Sequence, residues 1–283
     1  MKALIEEYAK LNGLVFGICD AHDLTGLDES ITDIPFFNGS FYERISPETF
    51  LNGAKSIIVL GVKTDDTPIF EGLNQVMAAS LCGVDYHKRL KHIADGLIGK
   101  MLKSAHFNYK TQIDAGPLIE REFAIKAGLG FRGRNGCIIN PMFGSFFNIA
   151  LIITDLELKP TPTSDKSTCD ACNKCIDACP AGALRETGYD YKKCISYLTQ
   201  KKGDLTEEES RLLGVSIYGC DICQSVCLYN SYRGVKTENH EDVLRKILSM
   251  SNKDFSENFR NSNLYWRGFG TIKRNCLISI NNI

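Results

Sequence analysis

Eight cysteines between positions 169 and 227 have the spacing that does chemistry in this chain. They open as Cys169-Asp-Ala-Cys172-Asn-Lys-Cys175-Ile-Asp-Ala-Cys179-Pro180, which is C-x2-C-x2-C-x3-C-P. Such a run supplies thiolates to 4Fe-4S cubanes, four to each, and in two-cluster proteins its fourth cysteine serves the other cluster. Cys220, Cys223 and Cys227 form a second run one cysteine short, and Cys194, midway between the runs, is the eighth thiolate. The count divides into Cys169, Cys172, Cys175 and Cys227 for one cluster, and Cys179, Cys194, Cys220 and Cys223 for another. Zinc is the competing reading of C-x2-C pairs, but a zinc site takes two pairs, not three evenly spaced cysteines followed by Cys-Pro. Disulfides fit less well, because the chain opens at Met1-Lys2 on a helix-like pattern and not on a secretory leader. The default for Cys19, Cys82, Cys137 and Cys276 is a small buried apolar residue.

A second group of candidates precedes the cysteines. Asp114 closes an alternating stretch (Phe107, Tyr109, Thr111, Ile113) and stands just before Gly116-Pro117. Ligands of α/β domains bind outside the carboxyl ends of strands, which makes Asp114 a candidate proton donor. It is equally well placed to cap a helix that starts at Pro117. Gly128-Leu-Gly130-Phe-Arg-Gly133 fits G-x-G-x-x-G, yet it is expected after a helix and before a strand. A dinucleotide site needs the reverse order, so NAD is rejected here. A glycine-rich turn still lets backbone approach a large ligand, and Arg132, Arg134 and Asn135 offer donors on it. Asp85-Tyr86-His87 lies on a long helix, where a lone histidine reads as structural.

These residues need elements to hold them. The chain has 283 residues, enough for two domains or one with a large insert. A helix over 2–11 precedes strands at 14–18 and 56–61, with an irregular stretch over 20–50 between them. Leu73 to Ser104 reads as helix broken near Gly83, followed by the strand ending at Asp114, a helix from Pro117 to Ala127, and strands at 137–139 and 146–154. Strands alternating with helices make residues 1–158 an α/β domain. Lys159-Pro-Thr-Pro-Thr-Ser164 is a linker. The cluster domain spans 159–230, and a tail over 231–283 has helical patterns near 240–250 and 271–280. The longest apolar run, Ile149 to Ile153, is far too short for a membrane helix. A net charge of −1 gives no global nucleic-acid signal. Residues 230–283 carry nine Lys/Arg against five Asp/Glu, an excess of +4 that suits a solvated face and is compatible with a polyanionic partner.

Taken together, the motifs resemble the epoxyqueuosine reductase family. The resemblance is carried by Gly83-Val-Asp-Tyr-His87, Asp114-Ala-Gly-Pro117, Gly128-Leu-Gly-Phe-Arg-Gly-Arg-Asn135 and Gly144-Ser145, and then by Cys194-Ile-Ser-Tyr-Leu198, Tyr218-Gly-Cys-Asp221, Trp266-Arg-Gly and Lys273-Arg-Asn275. It runs from about Arg44 to the end of the chain. It implies two 4Fe-4S clusters, with the same ligands as counted above, a cobalamin, and reduction of the epoxide of epoxyqueuosine in tRNA. It implies that Asp114 is the proton donor, with burial against the corrin keeping its carboxyl protonated. It also implies that the Gly128–Ile138 turn, including Arg134 and Asn135, lies around the corrinoid, as do Arg44, Ile149, Ser196 and Asp221. The implied fold is α/β: a mixed-sheet cobalamin-binding domain, then a ferredoxin-like double-cluster domain and a short helical tail. The implied setting is a cytoplasmic monomer without a membrane, supplied by an external low-potential electron donor. Leu228 stands where the family usually has Pro, Arg134 where it has Lys, and Ala115-Gly116 where it has Ser-Ala. The chain also reads as a short form without the family's helical-repeat domain. The alternatives are a corrinoid iron–sulfur reductase of a small substrate and a ferredoxin-type electron carrier.

Overall fold

The computed structural model describes residues 1–27, 39–163, 169, 171–186, 188–230 and 240–283. Part of the irregular stretch over 20–50 (residues 28–38), Ser164 of the linker, and the start of the tail (231–239) lie outside the described residues. The chain forms two compact units. The first comprises Met1–Lys63, His87–Gly133 and Cys137–Thr168; the second comprises Thr64–Tyr86, Arg134–Gly136 and Cys169–Ile283. Where the sequence reading cuts at 158 and 230, the compact units group the cluster region, the tail and residues 64–86 together.

In the first unit a four-stranded sheet is built from β1 (Val15–Asp20), β2 (Ser56–Lys63), β3 (Tyr109–Gln112) and, after two short strands, β6 (Phe147–Thr154). The short strands β4 (Phe131–Arg132) and β5 (Ile138–Ile139) pair with each other as a hairpin. The sheet order is β1-β2-β6-β3. All three pairings are antiparallel, which corrects the expected mixed sheet while the α/β class stands. Alternating strand and helix patterns give the class, but strand direction depends on pairing that periodicity does not encode. Ile57, Ile58, Val59 and Leu60 of β2 are all fully buried. Successive strand residues face opposite sides, so this uninterrupted apolar run fits a sheet covered on both faces. On one face Ile57, Val59, Leu151 and Ile153 pack with Phe123 and Ala124 of the helix Glu120–Lys126. Full burial of a side chain the size of Phe123 contributes roughly 2–3 kcal/mol. The helix Tyr86–Leu102 buries Leu90, Ala94, Leu97, Ile98 and Met101, a stripe at helical spacing. The Tyr8 hydroxyl donates to Ile93 O at 2.9 Å and ties that helix to the helix Lys2–Leu11. Thr161 is no loose tether residue: its N–H donates to Ile18 O of β1 at 2.8 Å.

In the second unit the expected helix over 73–82 divides into Leu73–Val76 and Ala79–Cys82. Bonds to a segment distant in sequence cause the break. Ile217 N–H donates to Val76 O at 2.8 Å, Ala78 N–H donates to Tyr218 O at 3.0 Å, and Met77 between them is extended. The tail holds helices His240–Ser249 and Phe269–Asn281, near the expected positions, and two unforeseen ones, Asn252–Phe259 and Asn263–Arg267. A capping box opens Asn252–Phe259: Ser251 Oγ accepts from Asp254 N–H while the Asp254 carboxylate accepts from Ser251 N–H. Val243, Leu244, Phe255, Phe259 and Ile272 share one core with Leu73 and Val76.

Candidate functional site

The eight thiols of the cluster region are all half-buried and belong to the second unit. Cys175 sits on the one-turn helix Lys174–Asp177, and Cys223 on the one-turn helix Ile222–Ser225. These two helices pack against each other. Burial pushes the Cys175 thiol up, and the charges of Cys169, Cys172 and Cys227 push it further. Burial likewise pushes Cys220 up to about 12, with Cys194, Asp221 and Cys179 adding to the rise. Cys175 and Cys220 therefore each lie in the field of thiols assigned to the same cluster by counting. Such a crowd of thiolates repels itself unless a cationic core lies among them, which is what an iron–sulfur cube supplies. Among the described residues no three His, Cys, Asp or Glu side chains close around a single ion; a cubane spreads its thiolates over separate irons.

The loops that carry Cys194 and Cys220 are held by the tail. Asn275, fully buried on the helix Phe269–Asn281, donates through its amide to Thr199 O and Ile217 O, both at 2.8 Å. Thr199 Oγ1 in turn donates to Ser196 O at 2.9 Å and accepts from Gly219 N–H at 2.9 Å. Arg274 donates to Lys201 O at 2.7 Å and to Leu198 O at 3.3 Å. The Lys273-Arg-Asn275 motif is thus a clamp on the segments 194–203 and 217–220.

Asp114, in the first unit, ends the sheet at β3 with φ 57°, the one positive φ outside glycine among the described residues. Its side chain is 66% exposed. The capping role is absent. The helix expected from Pro117 begins at Glu120, with Ile119 at its N-cap and no side-chain cap bond. Gln112 explains the late start: its amide donates to Leu118 O at 2.7 Å and accepts from Leu118 N–H at 3.0 Å, drawing 117–118 off the helix. Two neighbours of Asp114 were not foreseen as functional. His87 Nε2 lies 3.5 Å from Asp114 Oδ2. Glu120 Oε1 accepts the Asp114 N–H at 2.6 Å and a Gln112 amide N–H at 3.3 Å. Burial, and then the charge of Asp114, push the Glu120 carboxyl up to about 8. Spacing gave no signal for either residue, because a helix, a strand end and a turn have to fold before they meet.

The remaining expected residues fall in both units. In the first, Arg44 is 2% and Ile138 4% exposed, both inside packed structure, and Ile149 packs half-buried against the β2–β6 core. In the second, Arg134 is exposed at the hairpin turn and donates to the Asn173 side chain, and Asn135 is half-buried beside it. A Cβ built at Gly136 on that turn would meet nothing within 4 Å. Ser196 is half-buried, and the Asp221 carboxylate accepts Ala79 N–H at 2.6 Å and a Gln224 amide N–H at 2.7 Å. The glycine motif is a helix-to-hairpin turn, the helix-before-strand order expected from the sequence. Gly130 serves packing: a Cβ there would lie 2.2 Å from Ile139 O. Cys19, Cys82 and Cys276 are buried and Cys137 half-buried; burial pushes Cys19 and Cys276 up to about 12, as inert core thiols.

Residues 168–230 match the family described as a 4Fe-4S double cluster binding domain. An epoxyqueuosine reductase of Lactococcus garvieae (strain Lg2) is 33% identical over an alignment covering 100% of this chain and 88% of the relative. The chain belongs to the epoxyqueuosine reductase family. A crystal structure from this family, with an epoxyqueuosine-modified tRNA-Tyr stem loop, superposes with a TM-score of 0.87 at 31% identity, covering 99% of this chain and 80% of the other. The Bacillus subtilis reductase, described with its aspartate-bearing catalytic loop swung out of the active site, superposes with a TM-score of 0.85 at 29% identity, covering 99% of this chain and 81% of the other.

Proposed function

We propose that this protein reduces epoxyqueuosine to queuosine in tRNA, with Asp114 as the proton donor. The observation that carries the reading is the match, over 99% of the chain, to a reductase solved with an epoxyqueuosine-modified stem loop. Cys169, Cys172, Cys175 and Cys227 hold one 4Fe-4S cluster, and Cys179, Cys194, Cys220 and Cys223 the other; the spacing and the mutual fields of the thiols support this division. Arg134, Asn135, Ser196 and Asp221 would hold a cobalamin. An exposed cation, polar side chains and a turn with open space beside Gly136 fit a large ligand with a polar rim. Arg44 and Ile138, expected with them from the family resemblance, are buried. When bound, the clusters supply single electrons and the corrinoid a strongly reducing metal centre.

The protein's own contribution is acid–base. Opening an epoxide leaves an alkoxide oxygen that needs a proton. Asp114 gives its carboxyl proton to that oxygen and is left as the carboxylate. His87, 3.5 Å away and 34% exposed at its side chain, returns a proton to Asp114 and recovers its own from solvent. The relative's aspartate-bearing catalytic loop supports this role for an aspartate on a mobile loop. The protein works in this reading as a cytoplasmic monomer fed by an external low-potential donor. Among the described residues no helix is long and apolar enough to cross a membrane, and twelve cysteines suit a reducing compartment. Deleting the gene tests the function: epoxyqueuosine should accumulate in tRNA at the expense of queuosine, and normal queuosine would refute it.

A further inference from the structure

We infer that Glu120 is a positioning residue for Asp114: its carboxyl oxygen accepts the Asp114 N–H and holds the donor loop in the conformation that presents the donor carboxyl to His87. The inference rests on the reading of Asp114 as proton donor. Three observations carry it. Asp114 has φ 57°, a left-handed conformation that few non-glycine residues adopt and that local contacts must hold. The contact that imposes it is the 2.6 Å bond from the Asp114 N–H to Glu120 Oε1, and Glu120 is itself fixed by the Gln112 amide at 3.3 Å. Gln112 is in turn fixed at both ends of its amide by Leu118. The loop 113–118 is therefore closed by two side chains on the flanking strand and helix, not by its own backbone alone. A Cβ at Gly116 would lie 2.2 Å from Gln112 Cδ and Oε1, so the loop backbone rests directly on this brace. Glu120 touches no reacting atom in this account; it acts through Asp114. In a family where a catalytic loop has been seen swung out, such a brace sets how often the loop is in.

The experiment compares Glu120→Ala, Glu120→Gln, Asp114→Asn and the Glu120→Ala/Asp114→Asn double variant. Gln keeps an acceptor oxygen at the same reach; Ala removes it. Glu120→Ala should lower kcat ~10-fold or more with little change in KM, as misplacement of a catalytic group does. Glu120→Gln should stay within about threefold of the parent. The double variant should be no slower than Asp114→Asn. Independently of turnover, hydrogen exchange of the 112–119 segment in protein without corrinoid should speed up in Glu120→Ala and not in Glu120→Gln. Should Glu120→Ala fail to accumulate, Glu120→Asp gives the same contrast, since one methylene less cannot span to the Asp114 N–H. Parental turnover and parental exchange in the Ala or Asp variant, with Asp114→Asn inactive, would overturn the inference. Full turnover of Asp114→Asn would instead take down the donor reading, leaving the exchange data to decide whether Glu120 holds the loop.

Discussion

Asp114 and Glu120 are two carboxyls with different surroundings. Asp114 is exposed beside His87, while burial pushes the Glu120 carboxyl up to about 8. Replacing Asp114 with Asn removes the proton and keeps the shape. Turnover should fall about 10²- to 10⁴-fold, the usual worth of a positioned acid, while the visible absorbance of both clusters is unchanged. Glu120 makes a prediction about pH. Its folded-state value is about 8 against an ordinary 4.5, so between those values the folded protein holds a proton that the unfolded chain has released. Stability therefore falls as pH rises from about 4.5 to about 8 and levels off beyond. Glu120→Gln removes the titration. The loss of thermal stability between pH 5 and pH 8 should be smaller in that variant than in the parent, by an amount of order a few kcal/mol in unfolding free energy. An equal loss in both proteins would place the titration elsewhere.

At the scale of elements, two braces set the active residues, and each has a position where one atom decides. In the first unit, Gly116 has no room for a methyl group because the Gln112 amide fills it. Gly116→Ala should cost about 1–3 kcal/mol, the usual penalty for overpacking, and should slow turnover by displacing the Asp114 loop. Denaturant unfolding and the proton-transfer rate read the two effects separately. In the second unit, Asn275 satisfies two backbone carbonyls with one amide. Asn275→Ala leaves both buried and unmet, at about 1–3 kcal/mol each. The loops of Cys194 and Cys220 lose their anchor, so iron content after reconstitution should drop towards one cluster per chain. Full iron loading would show that the clamp is dispensable. The sequence had carried these elements unevenly. The uninterrupted Ile57–Leu60 run and the alternation before Asp114 were enough to find strands. The antiparallel order β1-β2-β6-β3, the break at Met77 and the late start of the helix at Glu120 were not, because each is imposed by a partner distant in sequence.

For the whole molecule, the thiolate count was the most legible feature, because cluster ligands sit within a few residues of each other and their spacing is their geometry. The donor loop was half legible: the position of Asp114 at a strand end drew attention to it, while His87 and Glu120 come from 27 residues before and six after, and meet it only in the fold. Likewise the grouping of residues 64–86 with the cluster region follows from packing on Ile217 and Tyr218, which no linker composition announces.

Removal of the epoxide of epoxyqueuosine on tRNA can be followed directly. The anaerobically reconstituted protein, supplied with iron, sulfide and cobalamin, is incubated with epoxyqueuosine-containing tRNA and a low-potential reductant, and the nucleosides are analysed after digestion. Epoxyqueuosine should disappear as queuosine appears, and the Asp114→Asn protein, carrying the same iron and corrinoid, should leave it untouched. Unchanged epoxyqueuosine with fully loaded parent protein would rule out this activity.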